Sequence, residues 1–372
     1  MIIGIPKEIK DYEDRVAMVP SGVYELVIKG HHVIIEKNAG KNIGFSDENY
    51  VAAGATIVQD ADAVWSSSEM IVKVKEPLAA ERAKLRTGQI LFAYLHLAPD
   101  PAQAHDLLAS GATCIAYETV TSPVGTLPLL QPMSEVAGRM SVQVGARYLE
   151  NVYGGAGVLL GGVAGVIPAN VVILGGGVSG TNAAMMASGL GADVTVIDCS
   201  PDVLRRIITI FGTRVKTAYS THDTVAKLVA QADLVIGAVL IPGGAAPKLL
   251  THEMLKTMRP GSVVVDVAID QGGCTETSKA TTHSNPTYVV ENVTHYCVAN
   301  MPGGVARTAT LALGNSTLPY IVALADKGWR RALADDKHLR NGLNVAGGAI
   351  THPAVAAALG LELRPVEKIL NI

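Results

Sequence analysis

Two kinds of hydrophobic pattern alternate along the first ~130 residues: short apolar runs bounded by turn residues, and longer stretches with apolar positions at helical spacing. Ile2–Pro6 predicts a strand, Ser21–Lys29 a helix, and His32–Glu36 a strand closed by Asn38-Ala-Gly40. Ser46 caps a helix that reaches Ala53, with acids in its first turn. Met70–Val74, Gln89–His96 and Thr113–Tyr117 follow as strands, separated by helices from about Leu78 to Leu85 and from Pro101 to Ala109. The loop Ser122-Pro-Val-Gly-Thr-Leu-Pro128 then leads into a long helix from Pro132 to about Asn151. A second series predicts strands at 171–175, 193–198, 213–219, 234–239, 263–268 and about 293–299, the strand count of a doubly wound nucleotide-binding fold. After Asn300-Met-Pro-Gly-Gly304 the pattern turns helical, through Leu311–Lys327 and on to the C-terminus. The expected fold class is α/β: two Rossmann-like doubly wound parallel-sheet domains with an interdomain cleft, one from residues 1–130 plus about 305–372 and one from about 131–304.

Composition fits that reading. A chain of 372 residues has room for two domains. With 49% hydrophobic but only 4% aromatic residues, its apolar content is mostly Ala, Val, Leu and Ile, as buried parallel strands require. The 17% charged fraction is low, which points to surface buried between subunits. A net charge of -3 with no long basic run excludes a nucleic-acid footprint. The four cysteines have no C-x-x-C spacing and read as reduced thiols, with no disulfide frame or metal site. The start has no signal-peptide pattern, which predicts a cytoplasmic protein. Val152 to Gly180 is nearly uncharged and long enough to span a bilayer, but its glycines, Pro168 and Asn170 argue for a glycine-rich approach to a buried strand, not a membrane helix.

The stretch Val171-Val-Ile-Leu-Gly-Gly-Gly-Val-Ser-Gly180 carries the clearest chemistry. Gly175, Gly177 and Gly180 fit G-x-G-x-x-G: one for the tight turn, one for close approach to a pyrophosphate, one for packing helix on strand. The N-H groups and positive dipole end of the next helix face the phosphates. Asp198 ends the next β-rich run, where an acid can bind a ribose 2′-hydroxyl, so NAD is expected over NADP. Arg205 and Arg206 suit a 2′-phosphate, yet they lie on a helix past Asp198, whose carboxylate repels that phosphate.

A nicotinamide enzyme acting on a small acid also needs a cation for the carboxylate and a proton donor and acceptor. Arg15, in a loop after the first strand, is the best fork for a carboxylate, although a surface arginine in a solvated loop reads equally well. Lys73 and Lys75 are two apart on a predicted strand and share a face, with Lys75 at the strand end. His96 stands between an apolar strand and a Pro turn, where a core histidine is the plainer alternative. In Val263-Val-Val-Asp-Val-Ala-Ile-Asp270, Asp266 lies mid-strand and reads as structural, whereas Asp270 is at the carboxyl end. Asn300-Met301 closes the last strand on the expected nicotinamide side. Motifs of zinc proteases, serine hydrolases and P-loop NTPases are absent.

Taken jointly, Gly4-Ile-Pro-Lys-Glu-Ile-Lys with Glu13-x-Arg15-Val-Ala, Val-Lys-Val-Lys75-Glu-Pro, Leu-Phe-x-Tyr-Leu-His96-Leu-Ala, Pro132-Met-Ser-Glu-Val-Ala-Gly-Arg, Leu-Gly175-Gly-Gly-Val-x-Gly180, Val-Asp-Val-Ala-Ile-Asp270-Gln-Gly-Gly and Asn300-Met-Pro-Gly-x-Val resemble the alanine dehydrogenase and NAD transhydrogenase α-subunit family. The resemblance implies reversible oxidative deamination of L-alanine to pyruvate and ammonia with NAD, in a homo-oligomer that is usually a hexamer. It implies that Arg15 and Lys75 hold the substrate carboxylate and carbonyl oxygen, and that His96 and Asp270 form the acid/base pair. Ser134, Gly177, Asp198, Ser220, Val239 and Asn300 would line the nucleotide. It further implies that the C-terminal helices complete the first, substrate-binding domain and that the second binds NAD. Gly304 and Met185-Met186 depart from the family pattern only at packing positions. Two alternatives stay open: the NAD-binding subunit of a proton-translocating transhydrogenase, a class whose resemblance lacks the His96 and Asp270 pairing, and an opine- or saccharopine-type amino-acid dehydrogenase with a different pocket size.

Overall fold

The computed structural model describes residues 1–239 and 246–370. The chain divides into two compact units, Met1–Met133 with Val305–Ile372, and Ser134–Gly304. Six strands open the first unit: β1 (Ile2–Ile5), β2 (His32–Glu36), β3 (Thr56–Val58), β4 (Met70–Val72), β5 (Ile90–Ala93) and β6 (Thr113–Ala116). The second unit contributes β7 (Asn170–Leu174), β8 (Asp193–Asp198), β9 (Val215–Tyr219), β10 (Leu234–Gly237), β11 (Val263–Asp266), β12 (Thr287–Val290) and β13 (Val293–Tyr296). The returning chain adds β14 (Leu343–Ala346) and β15 (Ala349–Ile350) to the first sheet.

In the first sheet the order is β15-β14-β6-β5-β4-β1-β2-β3. β1 to β6 run parallel, β14 lies antiparallel to β6, and β15 antiparallel to β14. The strand order reverses between β1 and β4, so polar residues past their carboxyl ends face one crevice. The second sheet runs β12-β13-β11-β10-β7-β8-β9, all parallel apart from β12, and reverses between β7 and β10. Central strands such as β4, β5, β6, β10 and β11 are buried along their whole length, which is why their sequences are mostly apolar without an alternating polar face. Fully burying one such side chain contributes about 1.5–3 kcal/mol. Around β4 and β5 the core gathers Trp65, Ile71, Leu91, Leu95 and Leu107, and around β10 and β11 it gathers Val172, Val235, Leu255 and Val264.

The C-terminal segment joins the first unit through the helix Ala306–Lys327, where Thr310 Oγ1 accepts the Val16 N–H at 3.2 Å and Arg307 lies 4.9 Å over the Phe45 ring.

Several sequence expectations need correction. The stretch after residue 311 is not helical throughout, because β14 and β15 interrupt it. β12 is a seventh strand of the second sheet, folded onto β13 through Glu291 and Asn292, both at positive φ as a two-residue hairpin requires. β3 is an extra edge strand, only partly buried. Strand 213–219 starts at Val215, after the turn Gly212–Arg214. β11 stops at Asp266, because the Asp266 carboxylate accepts the Ala268 N–H and starts a tight helical turn over Val267–Gln271. β4 likewise stops at Val72, so Lys73 and Lys75 do not share a strand face.

Candidate active site

At the carboxyl ends of the first sheet, charged residues are concentrated in a buried network. Lys73, wholly buried, is held by Glu8 Oε2 at 3.0 Å and Glu81 Oε1 at 2.7 Å. Burial works against its ammonium, but the two carboxylates outweigh burial and raise its pKa above the ordinary lysine value. Lys73 is therefore a structural ion, not a free substrate cation. Glu8 Oε1 also accepts the Val74 N–H at 2.7 Å and the Lys75 N–H at 3.3 Å, fixing the backbone that presents the half-exposed Lys75.

Arg15 is only 2% exposed, which overturns the reading of a solvated surface arginine. Glu13, equally buried, takes its Nε at 2.6 Å and a terminal nitrogen at 2.5 Å as a two-pronged fork. The other terminal nitrogen is 3.2 Å from Met133 Sδ. Burial disfavours the guanidinium charge, and the bonds and charge of Glu13, with Tyr94 and Glu8, more than restore it. Tyr94 connects this group to His96: its ring stacks on the imidazole, centroids 5.8 Å apart and planes 11° apart. Burial pushes the Tyr94 phenol well above its ordinary range against the pull of Arg15, so it stays protonated and donates to the Leu129 carbonyl at 2.5 Å.

His96 follows β5 by three residues, is exposed, and has φ 47°. The core-histidine alternative is thus excluded. Glu118, just past β6, accepts the His96 N–H at 2.7 Å. Glu8, Glu13, Tyr94 and Glu118 were missed as site residues. Their signal lay in position, since Glu8, Tyr94 and Glu118 stand within three residues of the end of β1, β5 or β6, and Glu13 lies further along the loop after β1.

In the second unit the glycine turn follows β7 and leads into the helix Val178–Gly189, with Gly177 as its N-cap residue. Gly175 has φ 97°, and a Cβ there would lie 2.8 Å from Ala238 O and 3.0 Å from Val239 Cγ1, across the reversal in strand order. A Cβ on Gly180 would stand 1.8 Å from Gly175 O, whereas one on Gly177 meets nothing within 4 Å. This is a bare backbone cradle at a helix N-terminus, which fits a dinucleotide pyrophosphate.

Asp198 ends β8 and grips the cradle: Oδ2 accepts the Gly176 N–H at 2.7 Å, and Oδ1 the Ser200 N–H at 2.8 Å. Ser220 is adjacent, donating its N–H to Asp198 O at 3.0 Å. Ser134 O accepts the Ser179 hydroxyl at 2.9 Å, on a helix drawn close by Gly138, where a Cβ would be 2.1 Å from Ser179 O. Arg206 reaches across to the glycine turn, donating to Gly176 O at 2.6 Å, whereas Arg205 pairs with Asp202 on its own helix. The structure thus gathers Ser134, Gly175, Gly177, Gly180, Asp198, Ser220 and Val239 around one turn.

Asp270 lies past β11 on the tight turn Val267–Gln271, with its side chain exposed. Asp266 braces that turn, accepting the Ala268 N–H at 3.0 Å, the Cys274 N–H at 2.9 Å and the Ser278 hydroxyl. Asn300, at φ 65°, and the buried Met301 lie past β13, where the Asn300 carbonyl accepts the Gly303 N–H at 2.9 Å and pairs with the His283 ring at 3.1 Å.

Two doubly wound sheets, one bearing a glycine cradle and an acid at the next strand end, define a two-domain protein of the Rossmann nucleotide-binding class. The chain belongs to the alanine dehydrogenase/PNT family: residues 4–137 match its N-terminal domain and residues 141–353 its C-terminal domain. It is 60% identical to an alanine dehydrogenase of Halomonas elongata over 362 residues, 97% of this chain and 98% of the relative. A solved L-alanine dehydrogenase superposes with a TM-score of 0.94 at 54% identity, covering 97% of this chain and 99% of that one. A transhydrogenase from Sinorhizobium meliloti superposes with a TM-score of 0.81 at 28% identity, covering 95% and 100%.

Proposed function

We propose that this protein catalyses the reversible, NAD-dependent oxidative deamination of L-alanine, in which L-alanine, NAD and water become pyruvate, ammonium, NADH and a proton. The observation that carries the proposal is likeness over the whole chain to alanine dehydrogenases, in sequence and fold together. The lower identity to a transhydrogenase and the presence of both His96 and Asp270 disfavour the binding-subunit alternative. An opine- or saccharopine-type activity has no comparable support.

The first unit binds substrate and the second NAD. Arg15 pairs with the substrate carboxylate and Lys75 with the oxygen that develops on the α-carbon, an electrostatic role that contributes several kcal/mol in a closed site. His96 and Asp270 are the acid/base pair that moves protons during water attack on the imine and loss of ammonia. When bound, NAD supplies the hydride acceptor. Gly175, Gly177 and Gly180 cradle its pyrophosphate, with Ser134, Ser220, Val239, Asn300 and Met301 lining it. The Asp198 carboxylate accepts from a ribose hydroxyl and repels a 2′-phosphate.

The chain works in the cytoplasm as a homo-hexamer. Among the described residues no helix is long and apolar enough to cross a membrane. The uncharged segment at 152–167 exposes Val152, Leu159, Val163, Val166 and Ile167, each by 59% or more, which supports burial between subunits. Light scattering giving the mass of a single chain would overturn the hexamer.

NADH formation with NAD and a panel of L-amino acids tests the activity. His96→Ala and Asp270→Asn are expected to keep NADH affinity and lose at least about a hundredfold in turnover. Near-normal turnover in both would remove their assignment.

A further inference from the structure

His96 is held in a conformation that its own chemistry disfavours. With φ 47° it occupies the left-handed region, where a residue with a Cβ is uncommon and strained, although histidine enters it more often than most. Its side chain is exposed, so core packing does not supply the constraint.

The constraint comes from hydrogen bonds to the two peptide groups that lead into its Cα. Glu118 Oε1 accepts the His96 N–H at 2.7 Å, and both Glu118 oxygens lie 3.3 Å from the Leu95 N–H. The Leu95 carbonyl accepts from the side-chain amide of Gln103, which is wholly buried on the helix Pro101–Ser110. Residues 95 and 96 are thus gripped from two neighbouring elements, with a charged acceptor on the strained side. The stack on Tyr94 then sets the plane of the imidazole. Neither Glu118 nor Gln103 has been given a role in substrate or nucleotide binding.

We infer that Glu118 is a positioning residue for the proposed reaction: its carboxylate, opposed by the Gln103 amide, locks the left-handed backbone of His96 and aims the imidazole at the reacting carbon. The inference rests on the acid/base role proposed for His96. The carboxylate acts as a hydrogen-bond acceptor, so a side chain that keeps an acceptor oxygen at the same reach retains most of the effect.

The test is a double-mutant cycle on the full-length enzyme with alanine and NAD as substrates. Glu118→Ala is expected to lower kcat by about ten- to a hundredfold with NADH affinity unchanged. Glu118→Gln, which keeps Oε1, is expected to stay within about fivefold of the parent. In a His96→Ala background Glu118→Ala should lower the residual kcat by less than about twofold, because nothing is left to aim. If Glu118→Ala fails to fold, Gln103→Leu removes the opposing bond and should lower kcat by at least about fivefold. Equal losses in the presence and absence of His96, equal losses in the Ala and Gln variants, or an unchanged kcat in Glu118→Ala or in Gln103→Leu would overturn the inference. Near-normal turnover of His96→Ala alone would instead overturn the acid/base reading beneath it.

Discussion

Replacing Gly177 and Gly180 separately by alanine distinguishes a glycine kept for a ligand from one kept for the fold. At Gly177 the backbone is at φ -64° and ψ -159°, open to any residue, and a Cβ would meet no protein atom within 4 Å. Gly177→Ala restricts the unfolded chain, worth about 0.4–1 kcal/mol, and loses a similar amount because alanine is a poor N-cap residue. The net change in stability is within about 1 kcal/mol. The methyl group, however, covers the bare backbone offered to the pyrophosphate. Losing one hydrogen bond to a charged group removes about 1.5–3 kcal/mol, which weakens NADH binding by roughly ten- to a hundredfold or more.

Gly180→Ala places a carbon 1.8 Å from Gly175 O, where a C···O contact needs about 3.3 Å. The helix and turn must part by more than about 1 Å, at a loss of about 1–3 kcal/mol or more. Urea unfolding followed by NADH fluorescence titration reads both effects. A Gly177→Ala variant that binds NADH as the parent does, or one as destabilised as Gly180→Ala, would refute the division of roles.

The two neighbouring lysines should separate in the same way. Lys73→Met leaves Glu8 and Glu81 buried without their cation and should destabilise the fold by about 3–5 kcal/mol in urea unfolding. Lys75→Gln should leave the unfolding midpoint in place and lower turnover by about a hundredfold or more, and equal destabilisation by both would contradict the assignment. Burial holds the His295 pKa below the ordinary histidine value, between Val293 O at 3.0 Å and Thr277 Oγ1 at 2.8 Å. Below about pH 6.5 the unfolded chain therefore binds more protons than the folded one, and the stability present above that pH is lost as pH falls, by up to about 1.4 kcal/mol per unit. His295→Gln should flatten that acid limb in urea unfolding at neutral and mildly acidic pH, and an unchanged slope would contradict the account.

What could be read from the chain, and what could not, follows the range of the forces involved. Gly175 to Gly180 and Asp198 were visible because a tight turn, a close approach and a strand end are local demands that leave a local pattern. β14 was not, since its four residues are buried on both faces and show no alternation, its hairpin partner β15 has only two residues, and its other partner β6 lies more than two hundred residues earlier. The same limit explains Lys73 and Lys75. Their spacing suggested a shared strand face, yet Glu8 and Glu81 draw Lys73 into the core and the strand ends before either lysine. Arg15 was placed correctly in a loop after β1, but its burial depends on Glu13 and Met133 and could not be seen. Glu118 carries no motif, and its role emerges only once β5 and β6 lie side by side.

The most direct measurement of the central claim is the fate of hydrogen from L-alanine deuterated at its α-carbon, incubated with the purified protein and NAD in ordinary water. The account predicts NADH carrying the deuterium on its nicotinamide ring, with pyruvate and ammonium formed in equal amounts. NADH without deuterium, or no NADH formed with alanine, would contradict it.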